Sequence, residues 1–242
     1  VPYARLPAAC RDPLVEQLKT MAQLDRGERM QAQVGMIEPS DGDAHPPLQV
    51  TTIPTIGGQE DVVVRRRTRP RLRGLTDLGL TARNLAAYTA AIEQAGGLVL
   101  CVGPEASGRT TTLHAALAHL NTPARKILTA ERSVTITQRG VRQIQVRRTG
   151  EPSALSGLRA IAQADADVLM VDDLDDSLSA RLVVDLAASG MLVLAATTGS
   201  SAWGAVSRLM SMGIDGDSLA DALRGVLVQR LVRRLCSHCM RS

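Results

Sequence analysis

Phenylalanine is absent from this 242-residue chain, and the only aromatic residues are Tyr3, Tyr88 and Trp203. Lysine is nearly as scarce: Lys19 and Lys126 stand alone, so almost all of the 28 basic residues are arginine. One reading of this pattern is an arginine-biased genome in which lysine drifts to arginine throughout the chain. Four cysteines, Cys10, Cys101, Cys236 and Cys239, are too few for a disulfide scaffold and suit a cytosolic setting. No window holds the roughly 20 apolar residues of a membrane span. Pro2, Arg5 and Pro7 interrupt the start of the chain, so no signal peptide is visible. Val1 in place of methionine suits an excised piece of a longer protein. The net charge of +4 allows an acidic partner or membrane surface without requiring one, and no nucleic acid is expected as a partner.

What is present is ordinary for a globular protein: 45% hydrophobic and 21% charged residues, enough for one large or two modest domains. Residues 10–30 carry a helical pattern, with Leu14, Leu18, Met21 and Leu24 near one face. Leu48–Ile53 and Val62–Val64 read as strands, joined by a turn at Ile56-Gly57-Gly58-Gln59. Arg65–Gly74 holds six arginines and reads as a linker; its arginines either contact an acidic surface or simply face water. Beyond Leu75, helices alternate with apolar strands. The strands are expected at Leu98–Val102, Lys126–Ala130, Gln143–Val146, Val168–Val171 and Met191–Ala196, and the last helices at Ala202–Met212 and Ser218–Leu235. That alternation predicts an α/β fold with a largely parallel sheet.

Two stretches carry the chemistry. Leu98–Leu113, LVLCVGPEASGRTTTL, has the layout strand, glycine loop, helix N-terminus, in which backbone N–H groups wrap phosphate. Gly103 and Gly108 have the spacing of G-x-x-x-x-G-K-[ST], with Ser107 inside the loop, Thr110 in the hydroxyl position that holds magnesium, and Thr111 after it. The lysine position is Arg109, which keeps the charge but replaces a compact ammonium by a planar fork. Glu105 brings a carboxylate near the phosphate region, and Ala106 lacks the freedom of glycine if its φ must be positive. The second stretch, Asp167–Asp176 (DVLMVDDLDD), is an apolar strand ending in acids, as in a Walker B segment. Asp173 is the candidate for orienting water and, with Thr110, for magnesium.

Leu223–Cys239, LRGVLVQRLVRRLCSHC, resembles the C-terminal part of the type II secretion and type IV pilus-extension ATPases. Other segments align in order. Leu158–Val171, LRAIAQADADVLMV, is similar to that family's LRAILRQDPDVIMV; Arg208–Ile214, RLMSMGI, to its RL-x-x-MGI; Leu18–Arg29 and Val50–Arg65 to segments of its smaller domain. The resemblance implies a RecA-like P-loop domain over residues 73–242, preceded by a partial small α+β (PAS-like) domain over residues 1–72 whose start is missing. It implies ATP and magnesium as ligands, Asp173 and Glu131 as catalytic acids, and Arg65 as an arginine contact. It also implies a hexameric ring of this chain, or a mixed ring with an active ATPase, on the platform proteins at the cytoplasmic face of the inner membrane. Cys236 and Cys239 match one of the two C-x-x-C pairs of the family's zinc site; half a site is not expected to bind zinc.

The departures fall on positions that handle phosphate, metal and water. The family's EDPVE is ERSVT, so Glu131 remains but Arg132 replaces an aspartate. Its GEIRD is Asp172 to Asp176, so the glutamate is shortened to Asp173 and the arginine inverted to Asp175. The histidine of TLHTN falls on Thr198 and an arginine of LRQDPD on Gln163. Arginine bias explains Arg109 alone. The expectation is a degenerate member in which nucleotide binding is weak or lost and hydrolysis is lost, because groups of one transition state act as a unit. A slow magnesium-dependent ATPase, or a binding module for another phosphate ligand, are the other functions that fit.

Overall fold

The computed structural model describes residues 5–39, 46–66, 71–146 and 153–233. The chain forms two compact units, Val1–Arg69 and Pro70–Ser242.

In the first unit, helix α1 (Arg11–Met21) packs on an antiparallel sheet of β1 (Gln33–Ile37), β2 (Leu48–Thr55) and β3 (Gln59–Arg66), in the order β1-β2-β3. Its apolar core is small: Ala22, Ile37 and Val50, with Leu18, Leu24, Leu48 and Val62 around them. A charge lies inside it. Lys19 Nζ sits 2.6 Å from Glu60 Oε1 and donates to the Glu28 carbonyl at 2.6 Å, so the buried ammonium is paired as burial demands. The helix expected over residues 10–30 stops at Met21, where Gln23 turns to φ 57°, and β1 was not anticipated. The hairpin turn is as expected, with Gly57 and Gly58 both at positive φ. Strand β3 runs on to Arg66, so Arg65 lies in a strand, opposite Gln49, and not in the linker.

The second unit is a six-stranded parallel sheet in the order β6-β5-β7-β8-β4-β9. Helix α2 (Ala82–Ile92), capped by the Thr81 hydroxyl, leads into β4 (Gly97–Val102) and α3 (Arg109–Leu120). There follow β5 (Ile127–Glu131), β6 (Val141–Gln145), α4 (Ala154–Ala162), β7 (Val168–Val171), α5 (Ser177–Ala188) and β8 (Leu192–Thr197). The last elements are α6 (Ala202–Ser211), α7 (Gly216–Ala222) and β9 (Leu223–Val228). Alternate strand residues feed two cores. Leu98, Leu100, Leu169 and Val193 face α4 to α7, and Val99, Cys101, Met170 and Leu194 face α2 and α3. Both faces are covered, so the central strands are buried along their whole length. Among the described residues no helix is long and apolar enough to cross a membrane.

One element differs in kind from expectation. The helix predicted over Ser218–Leu235 ends at Ala222, and LRGVLV becomes β9, parallel to β4. Its apolar spacing fits either period. What decides is β4, whose outer edge needs a hydrogen-bonded partner, together with Gly225, which passes close to α2: a Cβ there would meet the Ala91 methyl at 3.3 Å.

Candidate functional site

The carboxyl ends of β4, β7 and β8 meet at the loop Gly103–Gly108, where an open α/β sheet places its ligand crevice. The loop is tight. A Cβ on Gly103 would collide with the Ser107 hydroxyl and lie 2.8 Å from the Gln229 carbonyl, so only glycine fits. Gly108 starts α3 at φ 87°, and Ala106 is forced to φ 58° without being glycine. Glu105 is exposed. Ser107 is 4% exposed, and its hydroxyl has no partner among the described residues. Arg109, Thr110 and Thr111 form the first turn of α3, whose leading N–H groups have no intrahelical acceptor.

Gln229, just past β9, ties the loop down. Its N–H donates to the Val102 carbonyl at 2.8 Å, its Nε2 donates to the Ser107 carbonyl at 2.7 Å, and its Oε1 lies 3.0 Å from the Cys101 thiol. Burial pushes that thiol up to about 12, with the charge of Arg109 opposing. A hollow of about 300 Å³ lies beside Gly108, lined by Leu78, Leu80, Thr111, Gln229 and Leu231 among others.

The acids form a second cluster. Arg109 donates to the Thr198 hydroxyl at 3.1 Å and lies 3.9 Å from Asp173 Oδ1. Arg132, immediately after β5, is 3.2 Å from Asp173 Oδ2 and 2.5 Å from Asp175 Oδ2. Its backbone N–H donates to Asp172 at 2.7 Å. Burial raises Asp172 to about 6 against that hydrogen bond and the Arg132 charge, and raises Asp173 against the charges of Arg132 and Arg109. Asp176 caps α5 by accepting from the Ser179 N–H at 2.8 Å. A cavity of about 410 Å³ adjoins these acids between the first turns of α4 and α5.

Glu131, expected beside Asp173 in catalysis, is turned the other way. It is fully buried, with Oε1 accepting from Thr129 at 2.6 Å and Gln143 at 2.8 Å, and Oε2 lying 3.1 Å from His114 Nε2. The other ring nitrogen of His114 faces the Gln138 amide at 2.8 Å. Burial alone would push the Glu131 carboxyl up, but the hydrogen bonds from His114, Gln143 and Thr129 bring it below the usual carboxylate range. These contacts brace β5 against α3. Arg65 is exposed on β3 in the first unit. Cys236 and Cys239 lie outside the described residues. Among those described, no group of three or more His, Cys, Asp or Glu is placed to hold a metal.

Gln229 and the pairing of Arg132 with Asp175 escaped the sequence reading. A signal existed for each: Gln229 opens the QRLVRRLC segment, and Arg132 and Asp175 are opposite charge reversals in two motifs of one site.

A six-stranded parallel sheet with a phosphate-type loop after one strand and an acidic end on another defines a RecA-like P-loop domain. The fold matches that of the Legionella pneumophila ATPase DotB, with a TM-score of 0.72 over 96% of this chain and 67% of that one, at 18% identity. The sequence profile of the family described as "Type II/IV secretion system protein" matches residues 3–242. The chain belongs to that family. It is 40% identical over 227 residues to the putative type II secretion system protein E of Escherichia coli K12, covering 93% of this chain and 46% of that protein. It is 38% identical over 227 residues to the type II secretion system ATPase E of Vibrio cholerae, covering 93% of this chain and 45% of that protein. The chain thus spans about half the length of the curated relatives it matches.

Proposed function

We propose that this chain is a non-hydrolysing member of the secretion ATPases, one that holds nucleotide weakly and serves as a structural or regulatory subunit of a type II secretion or type IV pilus machine. The observation that carries this is the position of Asp173 between two guanidinium groups, at 3.9 Å from Arg109 and 3.2 Å from Arg132. An acid that orients attacking water needs a free oxygen facing the phosphate. Both Asp173 oxygens face arginine, and Glu131 is spent inside the domain. The loop and its helix keep the form of a phosphate cradle, and a hollow lies beside Gly108, which supports the nucleotide-holding part of the reading.

In this role the chain assembles in a hexameric ring of its own copies, or in a mixed ring with an active ATPase, on inner-membrane platform proteins at the cytoplasmic face. Exposed Arg65 is then offered to a neighbouring copy. The test is ATP turnover with magnesium by the protein and by Arg109→Lys. Neither is expected to hydrolyse ATP, because Arg132 still holds Asp173 in the variant. Clear turnover by the unmodified chain, abolished in Asp173→Ala, overturns the proposal in favour of a slow ATPase.

A further inference from the structure

The family resemblance places magnesium at Thr110 and Asp173, and the residues present do not fit it. Magnesium takes hard oxygen ligands in octahedral geometry and usually one or two carboxylates free to face it. Asp173 turns both oxygens to arginine, and Asp172 accepts from the Arg132 N–H. Glu131 is consumed by Thr129, Gln143 and His114. A divalent cation held by Asp173 would stand beside two fixed guanidinium charges, which repel it.

The same groups fit an anion. The cradle has the open N–H groups of the first turn of α3, and the orphaned, 4% exposed Ser107 hydroxyl lies inside the loop against Gly103. Arg109 begins that turn, and Arg132 is joined to it through Asp173. The guanidinium fork matches phosphate oxygens and keeps its charge at any working pH. A guanidinium carries several N–H donors, so Arg109 can reach phosphate while it stays beside Asp173, 3.9 Å away.

We propose that this site binds the diphosphate of a nucleotide without a divalent cation, with Arg109 and Arg132 supplying the positive charge that magnesium supplies in other P-loop proteins. This rests on the nucleotide-holding role assigned above. Asp173 and Asp175 then act as positioning residues: Asp173 lies between the two guanidinium groups, and Asp175 holds Arg132 in place beside it.

The experiment is titration of the protein with a fluorescent ADP, once in excess EDTA and once in excess magnesium. The two dissociation constants are expected to agree within about threefold, with inorganic pyrophosphate displacing the probe in EDTA. Arg132→Ala is expected to weaken binding in EDTA by about tenfold or more, and Arg132→Lys, which keeps the charge, to recover part of it. Tightening by about tenfold or more on adding magnesium overturns the proposal while leaving the nucleotide site intact. Retention of full affinity in EDTA by a folded Arg132→Ala also overturns it. Absence of binding in both conditions removes the nucleotide-holding role itself, and this proposal with it.

Discussion

Arg132 Nη2 lies 2.5 Å from Asp175 Oδ2, closing an ion pair between the end of β5 and the turn after β7. The motifs this chain resembles have the opposite signs, aspartate at the first position and arginine at the second. Two reversals that meet in space preserve an attraction that either alone would turn into repulsion. Arg132 also reaches Asp173, at 3.2 Å, so one guanidinium joins two of the acids that follow β7.

A charge-reversal cycle tests that pairing. Arg132→Asp and Asp175→Arg are each expected to destabilise the domain by about 1 kcal/mol, because like charges then face one another in a partly exposed setting. The double variant is expected to recover most of the loss, read as the midpoint of urea unfolding. Strict additivity of the two single effects would show that the pair contributes nothing.

Asp172 gives a pH-dependent prediction. Burial lifts its folded-state value from 3.8 to about 6. The folded state therefore resists ionisation of this group, so its contribution to stability is fullest below 3.8 and is lost as pH rises through about 6. Asp172→Asn keeps an oxygen to accept from the Arg132 N–H and removes the charge. It is expected to stabilise the protein by about 1–2 kcal/mol at neutral pH, at 1.36 kcal/mol per pKa unit tempered by relaxation. The gain should vanish in acid below 3.8, where Asp172 is protonated in both states. Unfolding midpoints of the two proteins across that range decide it; a gain that does not depend on pH contradicts the electrostatic origin.

The fold and the glycine loop are legible in the sequence because their determinants are local. Val99, Cys101, Met170 and Leu194 announce buried strands by their neighbours alone, and Gly103, Gly108 and Thr110 mark the loop within one short run. What escaped depends on contacts between distant segments. Arg132 and Asp175 are 43 residues apart, and their signs look like damage until they are seen together. Glu131 reads as an acid at a strand end, but its direction is decided by His114 and Gln143, which draw it inward. The sequence pattern puts LRGVLV in a helix because it has no local bias strong enough to oppose the helical pattern around it; the free edge of β4 makes it strand β9.

Ala106 is the strained point of the loop, an alanine at φ 58° where glycine has no steric penalty. Left-handed geometry costs a non-glycine residue about 1 kcal/mol, part of which is offset because alanine loses less backbone entropy on folding. Ala106→Gly is expected to stabilise the domain by about 0.5 kcal/mol. A rise in the thermal midpoint, with nucleotide affinity unchanged or improved, is the supporting result, and a fall would show that the loop does not hold this conformation.

Gln229 makes the longest connection within the site, because it lies at the far end of the chain from the loop it secures. Its amide donates to the Ser107 carbonyl, its Oε1 faces the Cys101 thiol, and its backbone extends the β9 ladder to Val102. Gln229→Ala keeps the ladder bond and removes the other two, leaving the Ser107 carbonyl without its amide donor. A part-buried hydrogen bond of this kind contributes about 1 kcal/mol, so the global loss should be of that size. The sharper effect is local. The loop would open without unfolding the sheet, and amide exchange at Ala106, Ser107 and Gly108 is expected to accelerate by about fivefold, the equivalent of that 1 kcal/mol, while β7 and β8 stay protected. The Cys101 thiol, held at about 12 by burial, would in the same variant become accessible to alkylating reagents sooner than in the unmodified protein. If exchange in the loop is unchanged and Cys101 stays inert, Gly103 and the turn of α3 hold the cradle by themselves, and Gln229 serves only to end the strand.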